Sequence, residues 1–266
     1  MNFSGKVCVI TGASSGIGKS LAIKLSSKGA IVVLAARRDS KLIQIKKKIE
    51  NNGGTCTGIK TDISKKLDCK NLINETINIY GKIDLLILAA GVSMWSPFEK
   101  ITDVSFFDDL MATNYSGAVH CIHAALTHLI STRGMIVSCS TAQALVGFTN
   151  HSGYAASKHA LHGFLDTLEM ELNGRVKILE TCLGWIRGTN MRSNAFGPNG
   201  IKMGKTKRKH SSNSVELEVC TDKIISAIAE ERKTIYIPWK LKLIPFFDLF
   251  FGDFLRQKIT KAVNSE

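Results

Sequence analysis

Five short apolar runs, Val7 to Ile10, Ile31 to Ala35, Asp84 to Ala89, Met135 to Cys139 and Val176 to Cys182, recur along the chain with helix-length segments between them. A strand buried on both faces reads as a near-continuous apolar run, whereas a strand with one wet face alternates. These runs therefore predict a parallel sheet covered on both sides. Weaker strands fit Thr55 to Lys60 and Thr234 to Ile237, giving about seven in all. The expected fold class is α/β, a single-domain doubly wound parallel sheet with helices on both faces. Neither a repeat nor an interdomain linker interrupts it. The domain is expected over residues 1–240, with residues 190–214 as a substrate loop, and residues 241–266 form an apolar and basic tail that is not an independent domain.

The chain of 266 residues, 44% of them hydrophobic, is long enough to bury a substantial core. Its seven cysteines are odd in number and contain no CxxC pair, which predicts reduced, buried thiols. His120 with His123 and His159 with His162 lack further ligands at metal spacing, so no metal is expected. The net charge of +13 gathers in Arg37, Arg38, Lys41 and Lys46 to Lys48, in Lys202 to Lys209, and around the C-terminal segment. No recognised nucleic-acid module accompanies it, and nucleic acid is not an expected partner. The apolar strand begins at Val7, leaving no room for a signal peptide or an N-terminal span, so a cytoplasmic location is expected.

Between the first strand and the next helix runs Thr11-Gly12-Ala13-Ser14-Ser15-Gly16-Ile17-Gly18, with the helix expected to begin near Lys19. Glycines at such a junction allow a tight turn and the close approach of a pyrophosphate, and the helix N-terminus offers amide donors and a favourable dipole. At the end of the second strand stand Arg37 and Arg38, where an acidic residue would favour the ribose hydroxyl of NAD. Two guanidinium forks suit a phosphate, so NADP(H) is expected over NAD(H). Asp62 is placed to accept from an adenine amine, or equally to cap a helix. Tyr154 and Lys158 share one helix face, where a nearby cation lowers a phenol from its ordinary pKa of about 10.

Together the TGASSGIG turn, Asn114, a Ser/Thr pair before Tyr154-Ala155-Ala156-Ser157-Lys158, and their order resemble the short-chain dehydrogenase/reductase family over roughly residues 5 to 240. The resemblance implies a Rossmann-like fold and NAD(P)-dependent hydride transfer between a carbonyl and an alcohol carbon of a small molecule. Tyr154 would be the general acid/base, Lys158 would lower its pKa and bind the nicotinamide ribose, and Asn114 would hold a water in the proton relay. Counted from Tyr154 and from Gly134, the family's second serine falls on Thr141, with Ser140 as the alternative. The cofactor wall is expected from Gly12, Ser14, Ser15, Gly16, Ile17, Gly18, Arg37, Arg38, Asp62, Ile63, Ala90 and Gly91, with Ile186 and Thr189 near the nicotinamide amide. Two departures stand out: Leu88-Ala89-Ala90-Gly91 replaces the family's Asn-Asn-Ala-Gly, and Leu183-Gly184 its Pro-Gly. They leave room for a non-catalytic NADP-binding sensor or scaffold on the same fold.

Five phenylalanines crowd residues 246–254, with basic residues on both flanks. Helical spacing sets Phe247, Phe250, Phe251 and Phe254 on one face, in a segment too short and too charged to span a bilayer. A dimer contact, a lid over an apolar substrate and an interfacial membrane helix through 241–256 all fit that pattern. The tail, together with the Asn- and Gly-rich lid at Gly197 to Gly204, resembles the membrane-associated branch of the family, related to hydroxysteroid and ketosphinganine reductases. A lipid- or steroid-like substrate and a homo-oligomer, dimer or tetramer, follow from that likeness.

Overall fold

The computed structural model describes residues 1–204 and 214–264. From the N-terminus, β1 (Val7–Thr11) leads to α1 (Gly16–Ser26), β2 (Ile31–Ala36), α2 (Asp39–Glu50), β3 (Thr55–Lys60), α3 (Lys66–Tyr80) and β4 (Leu85–Leu88). Then come α4 (Phe106–Met111), α5 (Gly117–Thr132), β5 (Met135–Cys139), α6 (Ser152–Leu172) and β6 (Lys177–Leu183). The chain closes with β7 (Ile186–Arg187), β8 (Val215–Glu216), α7 (Leu217–Ala229), β9 (Thr234–Ile237) and α8 (Ile244–Asn264). Seven parallel strands form one sheet in the order β3-β2-β1-β4-β5-β6-β9. The doubly wound fold expected from the apolar runs is the one observed, as a single domain.

Each face of the sheet has its own core, which is why the strands are apolar throughout. On one side Leu21, Leu25, Leu42 and Ile224 from α1, α2 and α7 pack on Ile10, Leu34 and Ile87. On the other, Leu72, Cys121, Leu129, Leu161 and Leu165 from α3, α5 and α6 cover Val9, Val33 and Leu86. Asp84 stands before β4 rather than inside it. Its buried carboxylate accepts from the Val7 amide at 3.0 Å and from Lys6 Nζ at 2.7 Å, which ties β4 to the start of β1. Strand order reverses between β1 and β4, whose Thr11 and Leu88 are register partners. In an open α/β sheet the crevice at such a switch point is where ligands bind.

Two local expectations are corrected. Helix α1 begins at Gly16, not near Lys19, because the glycine turn itself bends into the first helical turn. The tail does not present one phenylalanine face: non-helical angles at Phe251 (φ −138°, ψ 39°) kink α8 and swing its two halves apart in register. Phe247 is half-buried, while Phe246 is exposed and packs at a tilt against Phe250 with ring centres 4.9 Å apart. Ile244, Leu255 and Ile259 dock α8 against Val146, Cys182 and their neighbours.

Candidate active site

At the carboxyl ends of β1 and β4, Gly12 adopts φ +67°, and a Cβ on it would lie 2.7 Å from the Ala90 backbone. A Cβ on Gly18 would lie 2.6 Å from the Gly12 carbonyl oxygen. The two glycines let β1, α1 and the turn after β4 close on one another, leaving Gly12, Ser14, Ser15, Gly16 and Ile17 on the wall of a cavity of about 400 Å³. Gly18 lies beneath that wall. Helix α1 has no side-chain cap at Ser15, whose hydroxyl instead accepts from Arg38 Nη2 at 2.9 Å. Uncapped N-terminal amides at a cavity wall are a ready anion site.

Expected cofactor residues Arg37, Arg38, Asp62, Ile63, Ala90, Gly91, Ile186 and Thr189 all line the same cavity. Arg38 also donates to Ser14 Oγ at 2.8 Å, fixing its guanidinium beside the turn. Asp62 accepts from the Ser64 hydroxyl at 2.8 Å and its amide at 3.2 Å, so part of its carboxylate serves the local turn. The asparagines missing from Leu88-Ala89-Ala90-Gly91 have substitutes. Thr11 Oγ1 accepts from the Ala90 amide at 3.3 Å, and Asn114 clamps Val92 from the other side. The loop after Leu183 is held by Gly184 N donating to Ile237 O at 2.8 Å and by Arg187 pairing with Glu216 at 2.8 Å.

Tyr154 and Lys158 lie one turn apart on α6, both buried, and both face the cavity with Thr141 and Ser140. Burial pushes the Tyr154 phenol up, and a hydrogen bond with Thr141 pulls it part of the way back. Lys158 Nζ donates to the Cys139 carbonyl at 3.2 Å, and burial depresses its own pKa, against the pull of Cys139 and Glu180. Of the two candidate hydroxyls, Thr141 is the one that acts on the Tyr154 phenol, while Ser140 Oγ is buried without a partner.

Asn114 is set just behind the cavity wall. It is 1% exposed, in a π-helical turn over Ala112–Ser116 between α4 and α5, and the cavity wall there is Thr113. Its amide nitrogen donates to Val92 O and Ser157 Oγ, and its amide oxygen accepts from Val92 N, each at 2.9 Å. Its side chain fastens the turn after β4 to α6, a positioning duty.

Sequence reasoning missed several wall residues because loops distant in the chain deliver them. His151 packs edge-on against Trp95 at 4.8 Å and lies 6.2 Å from the Tyr154 ring; burial pushes it down to about 4, so it is neutral near neutral pH. Gln143, Met94, Met191 and Arg192 complete that end, with the Arg192 guanidinium 5.4 Å above Trp95, and Lys202 lines the same cavity. Asp62 is the one carboxylate on the wall among the described residues, against five cations: Arg37, Arg38, Lys158, Arg192 and Lys202. That imbalance suits an anionic ligand. No residue of 239–264 lines the cavity, which overturns the lid reading of the phenylalanine tail. Of the basic run after Lys202, residues 205–213 lie outside the described residues, and with them the end of the expected substrate loop.

Residues 6–199 match the family described as short chain dehydrogenase. The chain is 36% identical over 200 residues to 11-beta-hydroxysteroid dehydrogenase 1A of Arabidopsis thaliana, a match covering 75% of this chain and 57% of that protein. With 11-beta-hydroxysteroid dehydrogenase-like 5 of the same plant it is 31% identical over 268 residues, covering 100% of this chain and 69% of the relative. The match thus spans little more than half the length of the first of these relatives. Among solved structures, a short chain dehydrogenase/reductase from Burkholderia phymatum in complex with NAD superposes with a TM-score of 0.82 at 23% identity, covering 94% of this chain and 95% of that one. An alcohol dehydrogenase from the archaeon Thermococcus sibiricus, complexed with 5-hydroxy-NADP, gives 0.76 at 22% identity, covering 88% and 96%. At these identities the two structures speak for the fold.

Proposed function

The chain belongs to the short-chain dehydrogenase family, and from that premise we propose that it is an NADPH-preferring oxidoreductase interconverting an apolar carbonyl compound and its secondary alcohol. The observation that carries this reading is the sharing of one cavity by the Gly12 turn and by Tyr154, Thr141 and Lys158. The glycine cradle, the uncapped start of α1 and the wall's excess of cations fit a dinucleotide phosphate. A bound reduced nicotinamide supplies the hydride. Tyr154, kept protonated by burial, is poised to give its proton to the oxygen that develops negative charge. Thr141 keeps the phenol oriented and offers a second hydroxyl to that oxygen. Donors placed where charge develops stabilise the transition state more than the ground state. Lys158, anchored on Cys139 O, presents its ammonium to the ribose side. Met94, Trp95, Met191 and Ala195 give the substrate end apolar surface, which supports a lipid- or steroid-like carbonyl.

Preference for NADPH rests on Arg37 and Arg38. Charge-assisted hydrogen bonds contribute about 1.5 to 3 kcal/mol each, so Arg37→Ala with Arg38→Ala is expected to weaken NADPH by about 10²- to 10⁴-fold relative to NADH. Binding titrations with both cofactors read the ratio. An unchanged ratio would remove the NADP assignment.

The tail serves a second part of the same reading. Leu249, Phe250 and Phe254 are 77%, 62% and 55% exposed, flanked by exposed Lys240, Lys242, Lys258 and Lys261. No helix among the described residues is long and apolar enough to cross a membrane. Exposed apolar side chains bordered by lysines suit the interface of an anionic bilayer. Co-sedimentation with phosphatidylserine-containing vesicles is expected for the wild type and is expected to be lost in Phe250→Asp with Phe254→Asp. Vesicle binding that survives the double change contradicts this, as does a dimer that the change dissociates without any lipid binding.

A further inference from the structure

After β7 the chain folds back on itself as a narrow hairpin, in which Gly197 N donates to Ile201 O at 2.8 Å and Met203 N to Ala195 O at 2.9 Å. Its first arm is pinned to the segment following β4: Phe196 N donates to Ser93 O, and Trp95 N to Phe196 O, both at 2.8 Å. Lys202 on the second arm therefore starts from a fixed backbone. Its Nζ stands 3.0 Å from the centre of the Phe196 ring, on the wall of the cavity that also holds Arg37 and Arg38.

Resting on the NADP assignment above, we propose that Lys202 is a third reader of the 2′-phosphate, supplied by the hairpin after β7 instead of by the end of β2, so that NADPH fastens this hairpin across the cleft and NADH does not. Arg38 is already oriented by Ser14 and Ser15, and Asp62 by Ser64. The charged groups that act on Lys202 are Arg37 at the end of β2 and Asp109 on α4. Burial and then Arg37 push Lys202 down to about 8, and Asp109 opposes them. A cation facing another cation across a cavity is unfavourable, and a dianion bound between them reverses the sign of the interaction. The Phe196 face holds the ammonium near this position through a modest cation–π attraction.

The test is calorimetric titration of the full chain with NADPH, NADH and adenosine 2′,5′-bisphosphate, for the wild type, Lys202→Met and Lys202→Arg. Lys202→Met is expected to weaken NADPH and the bisphosphate by about tenfold and to leave NADH unchanged, whereas Lys202→Arg retains tight binding. Near pH 8 a second readout follows. A phosphate monoester is already dianionic above its second pKa of about 6, so proton uptake on binding there belongs to Lys202. Titration in buffers of different ionisation enthalpy is expected to show uptake with NADPH in the wild type and to lose it in Lys202→Met. Equal weakening of NADPH and NADH, or no weakening, overturns the proposal. If Arg37→Ala with Arg38→Ala shifts the cofactor ratio and Lys202→Met does not, Lys202 alone falls. If neither shifts it, the NADP assignment falls with it.

Discussion

Tyr154→Phe is expected to lower kcat for carbonyl reduction by about 10²- to 10⁴-fold, the usual range for removal of a positioned acid, while NADPH binds as in the wild type. The substitution keeps the ring that packs with Val92, Met94 and Phe196, so the fold is retained and the loss is read as chemistry. Burial raises the phenol and only Thr141 lowers it, so the proton is present across the neutral range. Reduction should accordingly stay active through neutral pH. Oxidation of the alcohol needs the phenolate as base and should climb as the pH becomes alkaline. Steady-state rates in both directions, with cofactor binding measured in parallel, check the prediction. An equal loss of NADPH affinity would mean that Tyr154 supports the cofactor site instead of the proton transfer.

Gly12→Ala is expected to be strongly destabilising, because both the backbone angle and the surrounding space oppose an added methyl group. A left-handed backbone angle costs a non-glycine residue about 1 to 2 kcal/mol. At Gly12 the new Cβ would also sit 2.7 to 2.8 Å from backbone atoms of Ala90 and Ala89, so the end of β4 has to move. Gly5 offers the internal control, because it has nearly the same φ, +66°, yet nothing lies within 4 Å of its Cβ position. Gly5→Ala should therefore lose only the conformational part. Gly12→Ala should lose on the order of 3 to 5 kcal/mol, lowering the melting temperature by roughly 10 °C, and should bind NADPH poorly. Equal destabilisation by the two changes would show that the close approach of β1 to the turn after β4 is unimportant.

The βαβ order was legible because buried parallel strands leave continuous apolar runs, and the Gly12 turn was legible because its chemistry is local. The same locality put Tyr154 and Lys158 on one helix face, but did not reveal that Lys158 would find the Cys139 carbonyl, a partner on another element. Asn114 shows a similar limit. Its motif marks a special position, and the three hydrogen bonds that occupy its amide depend on Val92 and Ser157, distant in sequence. His151 and Trp95 reach the cavity on loops without periodicity, so nothing nearby in the chain announces them, whereas Arg192 and Lys202 fall within the expected 190–214 loop. In the tail, helical spacing predicted one phenylalanine face and the kink at Phe251 divided it.

Rapid mixing of the NADPH-loaded protein with a panel of apolar ketones tests the central claim most directly, followed by loss of reduced nicotinamide absorbance and by product analysis. The account predicts consumption of one NADPH per secondary alcohol formed with at least one ketone in the wild type, and none on the same timescale in Tyr154→Phe. Tight NADPH binding with no oxidation by any ketone, or equal oxidation by the two proteins, would contradict it.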